Sequence, residues 1–169
     1  MRNYFLFSAL LLGACTVQEP LTKPASKNAI SNTSVISEKR AVKTDTEWRA
    51  VLTPDQYAVL REGGTERPFT SPLLDEHRKG TYVTADCNIP VFRSEQKFDS
   101  GTGWPSFWAP MSNDVVIEKT DTTFGMLRTE VLSTCGGHLG HVFNDGPEPT
   151  GLRYCINGVA LKFIPDEGQ

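Results

Sequence analysis

Gly151-Leu152-Arg153-Tyr154-Cys155-Ile156-Asn157-Gly158 is the stretch from which the fold is read. Side chains of an extended strand alternate between its two faces. Arg153, Cys155 and Asn157 therefore share one face, while Leu152, Tyr154 and Ile156 share the other. The pattern describes a strand whose apolar side packs inward and whose polar side opens to a cleft. After Gly158 the large apolar residues Val159, Leu161 and Phe163 fall on the opposite parity. A bulge or strand bend is expected at that glycine.

Just upstream lies His138-Leu139-Gly140-His141, in a chain with three histidines. By the same parity His138 and His141 cannot share a face of a flat strand, so a loop is expected there. Gly136, Gly137 and Gly140 permit one. Short β-type runs at 80–84, 115–118, 125–132 and 154–164 are separated by Gly, Pro, Asn and Asp. On the N-terminal side Thr53 is a hydroxyl N-cap and Pro54 suits the first helical position. Tyr57, Val59 and Leu60 supply apolar positions, and Gly63-Gly64 end the helix. One or two short N-terminal helices and many short strands give an α+β or mainly β domain, and alternating βαβ units are absent.

The 169 residues are 38% hydrophobic and 22% charged with net charge −3, which fits one compact folded domain. There is no basic excess for nucleic acid. Arg2 and the apolar segment 4–12 read as a secretory signal. It ends in Leu12-Gly13-Ala14-Cys15, which resembles a bacterial lipobox. That resemblance implies cleavage before Cys15 and lipid on its sulfur. Thr16, in place of an aspartate, favours the outer membrane. Residues 1–15 are thus read as signal and lipobox, 16–45 as a flexible polar tether, and 46–169 as the folded domain. Roughly 30 residues of coil reach on the order of 30 Å.

Cys155 has a guanidinium two residues before it and two imidazoles upstream, so it is read as a thiol set to become a thiolate. A buried core thiol is the plainer alternative, opposed by its place on the polar parity. Gly101-Thr102-Gly103-Trp104-Pro105-Ser106-Phe107 presents an indole from a glycine-framed turn. Nucleophilic sulfur, proton donors and an apolar wall point to redox chemistry on a small, partly apolar group. A metal at the His-x-x-His pair lacks an evident acidic ligand.

From Trp48 to about Pro165 the chain resembles the methionine-R-sulfoxide reductase B family (peptide methionine sulfoxide reductase). The resemblance is carried by Leu52-Thr53-Pro54 through Leu60-Arg61, by 64–73, by Lys97-Phe98-Asp99-Ser100 with the turn that follows, by 138–147, and by 152–158. It implies two antiparallel sheets packed as an irregular barrel, with short helices on the N-terminal side. It implies that Cys155 attacks the sulfoxide sulfur, releases methionine and is left as a sulfenic acid. The oxygen finally leaves as water, which requires proton delivery. His141 and Asn157 map onto family site residues and Trp104 onto the wall for the substrate methyl group, while His138 is read as a partner that orients His141 or as a structural residue. Arg153 is read as a substrate-side cation. Glu118, Asp121 and Phe124 lie in the same region without an assigned role.

The chain departs from the family in its other cysteines. Many members bind a structural zinc with two Cys-x-x-Cys pairs. Here the first reads Thr84-Ala85-Asp86-Cys87 and the second has shrunk to Ser133-Thr134-Cys135. No zinc and no organic cofactor are therefore expected. Thr102 stands where many members carry a resolving cysteine. Three alternatives follow: Cys135 or Cys87 resolves the sulfenic acid, which is slightly favoured; the two form a structural disulfide in place of zinc; or a reductant acts directly. The implied partners are methionine sulfoxide in proteins, a thioredoxin-like donor, and a membrane through the lipid anchor. The rival reading is an inactive lipoprotein that binds oxidised peptides through the Trp104 cleft.

Overall fold

In the computed structural model the described residues are 43–168. The expected signal, the lipobox cysteine Cys15 and most of the expected tether lie outside them. Helix α1 (Asp45–Val51) and helix α2 (Pro54–Leu60) open this part of the chain. Each begins with a capping box, Thr44 with Glu47 and Thr53 with Gln56, which satisfies otherwise orphaned backbone donors. Seven residues are too few to hold a helix alone. Buried Trp48, Tyr57, Val59 and Leu60 fix both against the sheets. The sequence reading located α2; α1 is the second of the one or two short helices expected, with Trp48 as its buried residue.

Nine strands follow: β1 (Gly80–Thr84), β2 (Pro90–Arg93), β3 (Lys97–Phe98), β4 (Ser106–Phe107), β5 (Val116–Asp121), β6 (Arg128–Ser133), β7 (His138–Phe143), β8 (Arg153–Ile156) and β9 (Leu161–Pro165). They form a three-stranded sheet in the order β2-β1-β9 and a six-stranded sheet in the order β3-β4-β8-β7-β6-β5. All the pairings are antiparallel. The fold is mainly β, as expected. The two antiparallel sheets are those expected, and they do not close into a barrel among the described residues. Between them Phe92 stacks on Phe107 at 4.3 Å, and Tyr82 meets Phe107 edge-on at 4.9 Å. These rings unite the two sheets in one core.

Two sequence expectations change in an instructive way. At Gly158 there is neither a bulge nor a continued strand, but a 3-10 turn, Gly158–Ala160, that carries the chain from β8 in one sheet to β9 in the other. The parity switch is a change of sheet. A side chain at Gly158 would overlap Ser71 Oγ, 1.8 Å from an added Cβ. The histidine motif is not a loop either. It is strand β7, and its pairing with β6 runs Glu130↔His141, Val131↔Gly140, Leu132↔His138. One step on β6 thus spans two on β7, with Leu139 as the extra residue of a bulge. The bulge resets the alternation and brings both imidazoles to one face, while Leu139 is fully buried.

Candidate active site

The ladder itself assembles the centre. Cys155 on β8 lies opposite Ser106 of β4 on one side and His141 of β7 on the other. Directly opposed side chains start about 4.5–5.5 Å apart at Cβ. Gly140 makes this approach feasible, since an added Cβ would sit 2.1 Å from the Cys155 carbonyl oxygen. Cys155 is half-buried and is the free cysteine among the described residues. Thr102 Oγ1 stands 3.7 Å from its Sγ. A chain of hydroxyls continues from Thr102 to Ser100 at 2.8 Å and on to Ser106 at 2.7 Å.

A cleft of about 160 Å³ opens over the sulfur, lined by Trp104, Arg128, Gly140, His141, Cys155 and Asn157, with Thr65 and Phe143. Trp104 is held by its indole N–H, which donates to the Glu66 carbonyl at 3.1 Å. Gly103, at φ 93°, lets the turn run close beneath Pro68 and Phe69. A larger cavity of about 450 Å³ lies across Trp104, bordered by Phe69, Glu76, Lys97 and Asp99. It contains neither the thiol nor an active-site histidine, so size does not mark the chemistry here.

Asn157 is buried, and both ends of its amide are engaged. Nδ2 donates to the Leu139 carbonyl at 3.0 Å, and Oδ1 accepts from the Glu66 N–H at 3.0 Å. It ties the cleft floor to the Glu66 loop. Glu66 in turn accepts from the Gly158 and Val159 amides. Burial raises the Glu66 pKa, and those two amides oppose the shift.

The two histidines have separate carboxylate partners. His138 Nδ1 donates to Glu130 Oε1 at 2.7 Å, and His141 Nε2 lies 2.9 Å from Asp121 Oδ2. Their ring centroids are 5.4 Å apart, edge to face. Burial pushes His138 down from its ordinary pKa, partly offset by Glu130, so it is a neutral donor at neutral pH. Arg153 makes a two-pronged bond to Asp145, 2.8 Å at each prong. That carboxylate raises the Arg153 pKa, with a smaller contribution from the neighbouring Cys155 sulfur. Its guanidinium also lies 4.4 Å from the Phe143 ring. The structure therefore brings together Cys155, His141, His138, Asn157 and Trp104, and gives Arg153 a partner outside the cleft lining. Asp121, Glu130, Glu66 and Asp145 were not assigned from the sequence, nor was Arg128. Glu118, left without a role, accepts from the Tyr154 hydroxyl at 2.7 Å.

Cys87 and Cys135 are bonded to each other. Of the three alternatives this is the structural cross-link, and neither sulfur stands free beside Cys155. The bond joins the turn after β1 to the turn between β6 and β7. The residues present do not fit a zinc ion: both thiols are consumed, Thr84 and Ser133 bring only hydroxyls, and no group of three candidate ligands occurs among the described residues. Instead Ser133 Oγ donates to Asp86 Oδ2 at 2.5 Å and accepts from the Gly137 N–H at 2.9 Å, a second link between the same turns.

Comparison with known proteins places these features in a family context. Residues 52–165 match the SelR domain. The chain is 59% identical over 126 residues to the peptide methionine sulfoxide reductase MsrB of Thiobacillus denitrificans, covering 74% of this chain and 96% of that protein. It is 53% identical over 133 residues to the MsrB of Agrobacterium fabrum, covering 78% and 98%. The MsrB of Methanosarcina barkeri matches at 53% over 133 residues, covering 78% and 94%.

Proposed function

Since the chain belongs to the peptide methionine sulfoxide reductase MsrB family and is such a reductase, we propose a thiol mechanism for it, with Cys155 reducing the R epimer of methionine sulfoxide. The observation that carries this reading is Cys155 paired across the ladder with His141 under the Trp104 wall. The thiolate attacks the sulfoxide sulfur while His141 protonates the oxygen. Oxygen passes from the substrate sulfur to the cysteine sulfur, giving methionine and Cys155 sulfenic acid. Two electrons from an external dithiol then return the sulfenic acid to thiol, release water and leave the donor as a disulfide. Trp104 receives the methyl group, and sulfur–aromatic contact favours that placement.

With Cys87 and Cys135 joined to each other, a thioredoxin-like donor acts directly on the sulfenic acid in this scheme. Substrates are peptide-bound methionine sulfoxides, with the free amino acid also accommodated. The Leu12-Gly13-Ala14-Cys15 motif supports a lipid-anchored protein facing the periplasm, on the outer rather than the inner membrane. An internal disulfide is at home in that oxidising compartment.

The test uses the purified protein with dithiothreitol and separate R and S epimers of a blocked methionine sulfoxide, beside Cys155→Ser. Consumption of the R epimer alone, abolished in the variant, is expected. Turnover of neither epimer by folded protein would overturn the reading in favour of an oxidised-peptide binder. Mass spectrometry of the mature N-terminus in the same preparation reads out lipid on Cys15, and an unmodified Cys15 removes the anchor from the scheme.

A further inference from the structure

The geometry points to Asp121 as a positioning residue, and we infer that it fixes which nitrogen of His141 meets the substrate oxygen. This rests on the proposed role of His141 as proton donor. Asp121 ends β5 and lies directly opposite Arg128, the first residue of β6, on the last rung of their hairpin. Its carboxylate is constrained at both oxygens. Oδ1 accepts from the Thr123 N–H at 2.8 Å, while Oδ2 accepts from Arg128 at 2.6 Å and from His141 Nε2 at 2.9 Å. The side chain is only 12% exposed. Hydrogen bonds from Thr123, then His141 and Arg128, hold the carboxyl well below the ordinary range, so it meets the imidazole as an anion.

A carboxylate only accepts, so the His141 nitrogen facing it must carry hydrogen. Nδ1 is then the nitrogen left for the substrate. In the imidazolium, Nδ1–H protonates the sulfoxide oxygen, and the neutral ring that remains is already the Nε2–H tautomer. Other charged or titratable groups around the ring are Arg128 and Glu130 on β6, His138 on β7, and Arg153 and Cys155 on β8. Glu130 is engaged by His138 and Arg153 by Asp145. Asp121 is thus the carboxylate assigned to His141. Without it nothing requires hydrogen on Nε2, so the neutral ring can populate both tautomers and is also free to turn about its Cβ–Cγ bond, a broad terminal torsion.

Asp121→Asn keeps the shape and removes the charge. We expect kcat to fall about 10- to 100-fold, part of the roughly 10²–10⁴ that a positioned acid supplies. KM should stay within about twofold, the signature of a contact that matters only in the transition state. In a His141→Gln background the Asn substitution should cost nothing further, because residues acting as a unit are not additive. Nitrogen-15 NMR of the His141 ring should show the Nε2–H tautomer in the parent and a mixture in Asp121→Asn. Asp121→Glu should restore that tautomer and part of kcat, and it serves as the folded comparison if Asn at this position does not fold. An unchanged kcat, multiplying losses in the double variant, or an unchanged tautomer would overturn the assignment. Absence of R-epimer turnover by the parent protein would instead count against the reductase mechanism, while the NMR readout on Asp121 would still stand.

Discussion

Thr102 holds its hydroxyl 3.7 Å from Cys155 Sγ, at the motif position where many family members carry a resolving cysteine. A sulfur placed there needs only a small shift to reach bonding distance of about 2.05 Å. Thr102→Cys is therefore expected to form a bond to Cys155 when substrate is added without reductant. Intact-mass measurement after digestion should find the 102–155 linked peptide, and its absence after methionine release would show that the turn cannot bring residue 102 to the sulfenic acid. At this scale the sequence was most legible where chemistry is concentrated in short motifs: Cys155, His141, His138 and Trp104 stood out in them, and the resemblance those motifs carry supplied the roles expected of His141 and Trp104. Their partners were not. Asp121 is 20 residues from His141, and Glu66 is 91 residues from Asn157. Strand register and loop packing make those contacts, and neither is printed in local sequence.

At the scale of the element, β7 carries the lesson. Flat-strand parity separates His138 from His141, and one extra residue in the ladder reunites them. A bulge has no strong local signature, so the reading defaulted to a loop. The strand also makes a pH prediction. His138 is buried and its folded pKa lies below the ordinary 6.5 because burial disfavours the cation. As pH falls through 6.5 the unfolded chain takes up that proton first. Stability from this site is therefore complete above 6.5 and is lost as pH falls toward the folded value. Urea unfolding at pH 7.5 and pH 5 should show lower stability at the acid end, and His138→Gln should narrow the difference. An identical pH dependence in parent and variant would remove His138 as the cause. Helix α2 was the element best read in advance, because its Thr53 cap, following proline and apolar positions are all local.

For the whole molecule, the mainly β class followed from many short strand runs, whereas the division into sheets of three and six strands did not. That division depends on the turn at Gly158 sending β9 away from β8, a decision of packing against Ser71 and Glu66. The Cys87–Cys135 bond closes a separation of 48 residues between the two sheets. A cross-link of that span stabilises by about 2–4 kcal/mol. Removing both thiols as Cys87→Ala with Cys135→Ala is expected to lower Tm by on the order of 10 °C. Calorimetry under non-reducing conditions measures this. The double variant should still release methionine stoichiometrically and still accept electrons from thioredoxin. Loss of thioredoxin-coupled turnover, with the single turnover intact, would return one of these sulfurs to the resolving role.

Joining these two sulfurs also changes the conditions under which the enzyme matures. A zinc-held relative gains its cross-link from a metal, whereas this chain gains its cross-link from an oxidant. The environment that damages methionine is then the one that completes the tool for its repair. In the proposed scheme its working electrons reach the sulfenic acid in the cleft without opening the bond between the two sheets.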